Sequence, residues 1–350
     1  MRAAPSRKRA IGVRHPGFLH DLEKCELCEH RCRVNRLQGE TGVCRVSMPV
    51  VSSAHLHMAP PPSYTVFMAG CNFKCLQCQS WTTSQYPDSG YHQRGYEDPE
   101  TLAEECLQSL DAFAARLIGA ERISFSGGEP TIHLPYVEKV VEEARQRDSD
   151  TKVNVDTNGY MTEQSLEKVL SFATSITYDL KAYHDEVHLA LTGASSKPVL
   201  RNAELIGRYA RDQLWEYRIV VIPELTEDEV KPLTDFIAGI DPSLPVCFLA
   251  FRPNFVLQSH PGAKTRLMQG CVQMAKASGL KSVYWSGRPN IPGKRIPGET
   301  AIRNQYVLPG GQLAGAYSLS AGCRTHPRGC STCLSNQVCH VKKYHPSRTT

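Results

Sequence analysis

Residues 64–78 read YTVFMAGCNFKCLQC. A short apolar run, Tyr64 to Ala69, stops at Gly70, and three cysteines follow as Cys71-x3-Cys75-x2-Cys78. The run predicts a buried strand. The thiols behind it predict a metal-ligating loop at the strand's C-terminal end. Outward from this stretch the pattern repeats. Strand-like runs occur at 122–125, 152–156, 176–180, 217–222, 246–251 and 282–285. Amphipathic helical stretches alternate with them at 99–118, 134–147, 162–174, 199–213, 226–239 and 263–278. Such alternation predicts an α/β fold with a parallel sheet and crossover helices. In folds of that kind the site gathers at the C-terminal ends of the strands. The chemistry-bearing residues stand there: Gly127-Gly128-Glu129 after the second strand, Asp156-Thr157 after the third, and Tyr178-Asp179-Leu180-Lys181 after the fourth.

Fourteen cysteines are too many for an ordinary enzyme without metals, and eleven of them cluster. Beside the central three stand Cys25, Cys28, Cys32 and Cys44 on one side, and Cys323, Cys330, Cys333 and Cys339 on the other. The singletons Cys106, Cys247 and Cys271 sit on apolar stripes and are expected in the core; Phe113 and Leu117 continue the stripe of Cys106. Three thiolates on one loop can hold three irons of a 4Fe–4S cluster and leave the fourth open to a chelating ligand. A structural zinc site, the competing reading, normally closes with four ligands. Gly127 and Gly128 would let a ligand approach the backbone, and Glu129 could accept from an ammonium. Asp156 and Asp179 also suit helix caps or ion pairs, and Lys181 an exposed site.

The order CxxxCxxC, GGEP, DTNG, DLK, then His188 with Leu191-Thr192-Gly193, then RIVVIPELTEDE at 218–229, resembles the radical SAM superfamily. Within it the chain is similar to the pyruvate formate-lyase activating-enzyme branch over roughly residues 25 to 255. The resemblance implies a partial (β/α) TIM-type barrel. It implies that Cys71, Cys75 and Cys78 ligate the cluster and that the open iron binds S-adenosylmethionine. By the same resemblance Gly127, Gly128 and Glu129 hold the ammonium. Asp156, Thr157, Tyr178 and Asp179 match positions that cradle a monovalent cation beside the carboxylate, and Lys181 matches a basic residue near that group. The implied chemistry is reductive cleavage of S-adenosylmethionine to a 5′-deoxyadenosyl radical that abstracts hydrogen. Two positions depart from the pattern. Gln77 stands where an aromatic residue often helps hold the adenine, and Arg252 stands near where a His often lies, so Arg252 and Lys181 are the catalytic candidates.

The expected layout is a basic tail at 1–24, a Cys-rich module at 25–63, the barrel at 64–286 and a C-terminal Cys-rich module at 287–350. The first module would take zinc or an iron–sulfur cluster. The last resembles part of the SPASM extension and would take an auxiliary 4Fe–4S cluster or zinc, with His326 or His340 as spare ligands. That extension points to a protein or peptide substrate and post-translational modification. A glycyl-radical-enzyme activase is the alternative within the same chemistry. A one-electron donor such as flavodoxin or ferredoxin is the expected partner. The net charge is +5, with +5 on the first 20 residues and +6 on residues 300–350. Basic ends admit a different class of reading, a metal-stabilised nucleic-acid-binding protein. That reading leaves the GGEP and DTNG loops unexplained, so nucleic acid is not an expected partner. No apolar run reaches the ~18 residues of a membrane span. The N-terminus lacks the apolar segment of a secretory signal, and clustered free thiols suit a reducing compartment, so a cytoplasmic location is expected.

Overall fold

In a computed structural model, which describes residues 16–257 and 260–287, the opening stretch forms strand β2 (Ser63–Met68), and the cysteine loop leaves its C-terminal end. Six further parallel strands follow in sequence order: β3 (Arg122–Gly127), β4 (Lys152–Thr157), β5 (Ser175–Leu180), β6 (Leu214–Val221), β7 (Val246–Ala250) and β8 (Val283–Ser286). A strand absent from the sequence reading, β1 (Val51–His57), pairs antiparallel with β2 and starts the sheet. The sheet runs β1 to β8 without pairing its two edges, which makes an open, partial barrel.

Helices fill the crossovers: α1 (Trp81–Ser84), α2 (Pro99–Asp111) and α3 (Phe113–Ile118) before β3, then α4 (Leu134–Arg147) and α5 (Glu163–Phe172). After β5 come α6 (Asp185–Thr192), α7 (Lys197–Tyr209), α8 (Glu227–Ile240) and α9 (Thr265–Ala277). Local chemistry sets their starts. Asp98 caps α2 by accepting from the amides of Glu100 and Thr101, with Pro99 fixing the first turn. Thr162 caps α5 through Ser165 N. Thr226 precedes α8 without a side-chain cap; its Oγ1 accepts from Ile222 N and donates to Val220 O. The helix predicted over 99–118 breaks at Ala112, which is extended. The restarted turn changes phase, so Phe113 and Leu117 are exposed, not buried as expected.

Strand alternation sorts the sheet into two faces. Val66, Ile123, Phe125, Val153, Val155, Ile176, Tyr217 and Ile219 are buried beneath the helices. The opposite, concave face is polar: Ser124, Asn154, Ser175, Glu216 and Arg218. There Asn154 Nδ2 donates to Ser124 Oγ (3.1 Å) and Ser175 Oγ to Asn154 Oδ1 (2.9 Å). Going up the concave face by steps of two leads from Ser124 to Ser126, from Asn154 to Asp156 and from Thr177 to Asp179. Cys106, Cys247 and Cys271 are buried. The turn Gly17–Leu22, expected to belong to the tail, buries Leu19 and Leu22 in the main core. No helix of the described residues is long and apolar enough to cross a membrane. The four C-terminal cysteines and most of the basic N-terminal tail lie outside the described residues.

Candidate active site

The strand ends open onto a cavity of about 350 Å³, within the usual range of small-molecule sites. Cys71, Cys75 and Cys78 line one end. Gly127–Glu129, Asp156–Asn158, Asp179, Lys181 and Arg218 form the wall, and Ala250–Arg252 the far side. The structure therefore brings together every residue predicted for the site on the barrel, except Tyr178. That side chain is buried behind the cavity, with its hydroxyl donating to Val199 O at 2.6 Å.

The cysteine loop is held from several sides. Phe73 N donates to Cys71 Sγ (3.3 Å), and Ser84 Oγ lies 3.0 Å from Cys78 Sγ. The amides of Lys74 and Leu76 donate to Thr192 O and Leu191 O, which explains why the Leu-Thr-Gly segment belongs with this loop. His188 is buried and packs edge-on against Phe73, so it supports the loop from outside the cavity. Burial pushes all three thiols up, Cys75 to about 12. Iron binding here would release protons. Among the described residues no group of three His, Cys, Asp or Glu is set around a single ion. One cluster does not require that, since each thiolate takes its own iron. Three thiols at one end of a ligand-sized cavity fit a 4Fe–4S cluster with S-adenosylmethionine beside it.

The GGEP turn has structural duties that the sequence did not show. The glycines of the GGEP turn are required for packing. A Cβ on Gly128 would lie 1.9 Å from Gly70 O, and one on Gly127 2.5 Å from Met68 O. They let the turn after β3 lie on the backbone that leads into the cysteine loop. Glu129, expected to take an ammonium, is buried and already accepts four protein hydrogen bonds. Its Oε1 accepts from Thr131 N (3.1 Å), Thr131 Oγ1 (2.7 Å) and Thr157 Oγ1 (2.7 Å), and its Oε2 from Asn158 N (2.8 Å). Oε1 is thereby fully used, while Oε2 keeps one acceptor site on a residue that lines the cavity. Burial raises its pKa, against the pull of these donors. Glu129 thus ties the turn after β3 to the loop after β4.

The two aspartates lie among side-chain cations. Lys181 Nζ is 2.5 Å from Asp179 Oδ2, which removes the exposed-lysine reading. Burial works against the charge of Lys181, yet Asp179 and the Cys75 thiol hold its pKa above the ordinary value. Arg218 Nη1 stands 3.9 Å from Asp156 Oδ2, and its Nε pairs with Glu216 Oε1 at 2.6 Å. Ser126 Oγ also donates to Asp156 Oδ2 (2.7 Å). Burial raises the pKa of Asp156 despite Arg218. Two facing carboxylates repel unless a cation lies between them, and here Arg218 and Lys181 meet that need. The charge argument for a monovalent cation is thereby weakened. Sequence reading missed Arg218 and Glu216; the signal was a Glu-x-Arg pair, both on one face of an otherwise apolar strand. Gln77 is buried with its Oε1 unpartnered at the cavity wall. The Arg252 guanidinium makes no hydrogen bond or ion pair among the described residues and lies on the rim.

Residues 65–237 match the family model described as the radical SAM superfamily. An uncharacterised protein of Methanocaldococcus jannaschii is 27% identical over 279 residues, covering 75% of this chain and 77% of that protein. A putative glycyl-radical enzyme activating enzyme of the same organism is 28% identical over 190 residues, covering 53% of this chain and 66% of its own length. A pyruvate formate-lyase-activating enzyme of Staphylococcus aureus is 24% identical, covering 52% and 71%.

Proposed function

Residues 65–237 belong to the radical SAM superfamily, and from that premise we propose an enzyme that cleaves S-adenosylmethionine reductively and abstracts hydrogen from a polypeptide. The observation that carries the reading is the three-thiol loop opening into the same cavity as Asp156, Lys181 and Arg218. When bound, the 4Fe–4S cluster supplies the electron that breaks the carbon–sulfur bond of S-adenosylmethionine homolytically, yielding the 5′-deoxyadenosyl radical.

Cys71, Cys75 and Cys78 would hold the cluster. Asp156 suits the ammonium of the cofactor's amino-acid group, because Ser126 and Arg218 both engage Oδ2 and leave Oδ1. Lys181 and Arg218 suit its carboxylate. Gln77 Oε1, lacking a protein partner, suits an amino group of the adenine. Glu129 keeps the two loops in register, and the acceptor site left on its Oε2 also suits the ammonium. Burial of the thiols and the apolar far wall, Val220, Leu249 and Phe251, exclude water from the reacting end.

The polypeptide substrate rests on the named activating enzymes among the relatives, whose substrates are themselves enzymes. Activation of a glycyl-radical enzyme is therefore kept as the second reading. A flavodoxin or ferredoxin would supply the electron. The test is anaerobic turnover with proteins that co-purify with the chain, followed by electron paramagnetic resonance and intact mass. A polypeptide radical or a mass shift that depends on S-adenosylmethionine supports the proposal. Hydrogen transfer to 5′-deoxyadenosine only from small molecules contradicts it.

A further inference from the structure

The four N-terminal cysteines, clustered in sequence, also converge in space. Arg33 N donates to Cys25 O and Cys25 N to Val34 O, both near 3 Å, so residues 25–34 fold back as a hairpin carrying Cys25, Cys28 and Cys32. A second arm brings Cys44 beside them. All four thiols line one cavity of about 10 Å³. Gly42 admits this approach, since a Cβ there would lie 2.6 Å from Cys32 Sγ.

Arg36 supplies an independent observation. Its side chain is 1% exposed. Nε donates to Ser47 O (2.8 Å), Nη1 to Ile132 O (2.5 Å), and Nη1 also lies 3.8 Å from Cys25 Sγ. Nη2 is buried with no partner, although it lines the thiol cavity's own residue set. No carboxylate among the described residues pairs with this guanidinium. A buried, uncompensated cation is strongly unfavourable. A divalent ion held by four thiolates carries two net negative charges and would supply the missing counter-charge.

We infer that Cys25, Cys28, Cys32 and Cys44 form a tetrathiolate site for one zinc-class ion, with Arg36 as its buried counter-charge. The small cavity favours a single ion over a cluster. About 10 Å³ is roughly one water-sized sphere, while the site at the barrel mouth has about 350 Å³. The thiols stop short of ligating distance, so ligation requires them to rotate toward the shared cavity. The ion would brace the barrel site from behind. A Cβ on Gly70, the residue before Cys71, would lie 3.3 Å from Cys44 O. Arg36 also anchors Ile132, in the turn after Glu129.

The test uses the full chain with the three barrel-mouth cysteines and the four C-terminal cysteines changed to Ala, so that only this site can report. The expected result is one zinc per chain. Replacement by Co²⁺ should give the intense visible bands of a tetrahedral thiolate site. Cys28→Ser should lower metal content at least tenfold, and Arg36→Gln should weaken Co²⁺ affinity by about tenfold or more while leaving the tetrahedral spectrum. The Co²⁺ spectrum of the background protein keeps the test valid if Cys28→Ser does not fold. Four irons with acid-labile sulfide in the background protein would overturn the single-ion site. No bound metal, with all seven remaining thiols titratable after denaturation, would overturn it outright.

Discussion

Replacing Glu129 by Gln separates a ligand-binding role from a loop-tying role. The carboxylate accepts from two backbone amides and two hydroxyls. A Gln carbonyl placed at the Oε1 position keeps three of these donors, and its NH2 then faces the amide of Asn158. One charge-assisted hydrogen bond is lost, worth about 1.5–3 kcal/mol, and three weaken because the acceptor is now neutral. Relief of the burial penalty on the charge offsets part of this. The net loosening of the loop after β4 is about 2 kcal/mol, or roughly 30-fold faster amide exchange. Hydrogen exchange read by mass spectrometry on residues 156–160, without S-adenosylmethionine, measures it. A double-mutant cycle with Thr157→Val should show coupling between the two sites. Exchange unchanged within about 3-fold, together with a large loss of S-adenosylmethionine affinity, would refute the argument and leave Glu129 as a direct ligand alone.

Arg218→Met leaves the buried Glu216 without its 2.6 Å partner, so the urea midpoint should fall by an amount equivalent to about 3–5 kcal/mol; adding Glu216→Gln should recover most of it. His133 is buried, and burial, assisted by Arg36, lowers its pKa to about 3. An unfolded His takes up a proton near 6.5, so its contribution is complete above about pH 6.5 and is lost as pH falls from there toward 3. His133→Asn should therefore flatten the acid limb of a stability–pH curve, and an unchanged limb would contradict the assignment. Gly128→Ala would drive a methyl into Gly70 O, so iron content and thermal midpoint should both fall.

The barrel and its site loops were legible because each parallel strand is a short run with apolar β-branched or aromatic residues, and its loop residues follow at the end. Strand β1 was not, since an edge strand reading VSSAHLH buries little and lacks that signal. The break at Ala112 was equally invisible, as no Gly or Pro marks it. At the site, residue types were readable but partners were not. The packing role of Gly128 and the loop-tying role of Glu129 were hidden, because sequence shows neither Gly70 O nor the amide of Asn158 nearby. Arg218 was overlooked because it sits inside a strand instead of on a loop. The three N-terminal thiols of 25–32 form a visible motif, while the buried Arg36 among them becomes informative only with its neighbours in place.

The central claim is that the thiols after β2 hold the cluster that reduces S-adenosylmethionine. Its most direct measurement is 5′-deoxyadenosine formed by anaerobically reconstituted, reduced protein, comparing the parent with Cys75→Ala. The account predicts cleavage by the parent, and in the variant loss of about four irons and of all cleavage, because two thiolates do not hold a cubane firmly. Full cleavage by Cys75→Ala, or none by an iron-loaded parent, would contradict it.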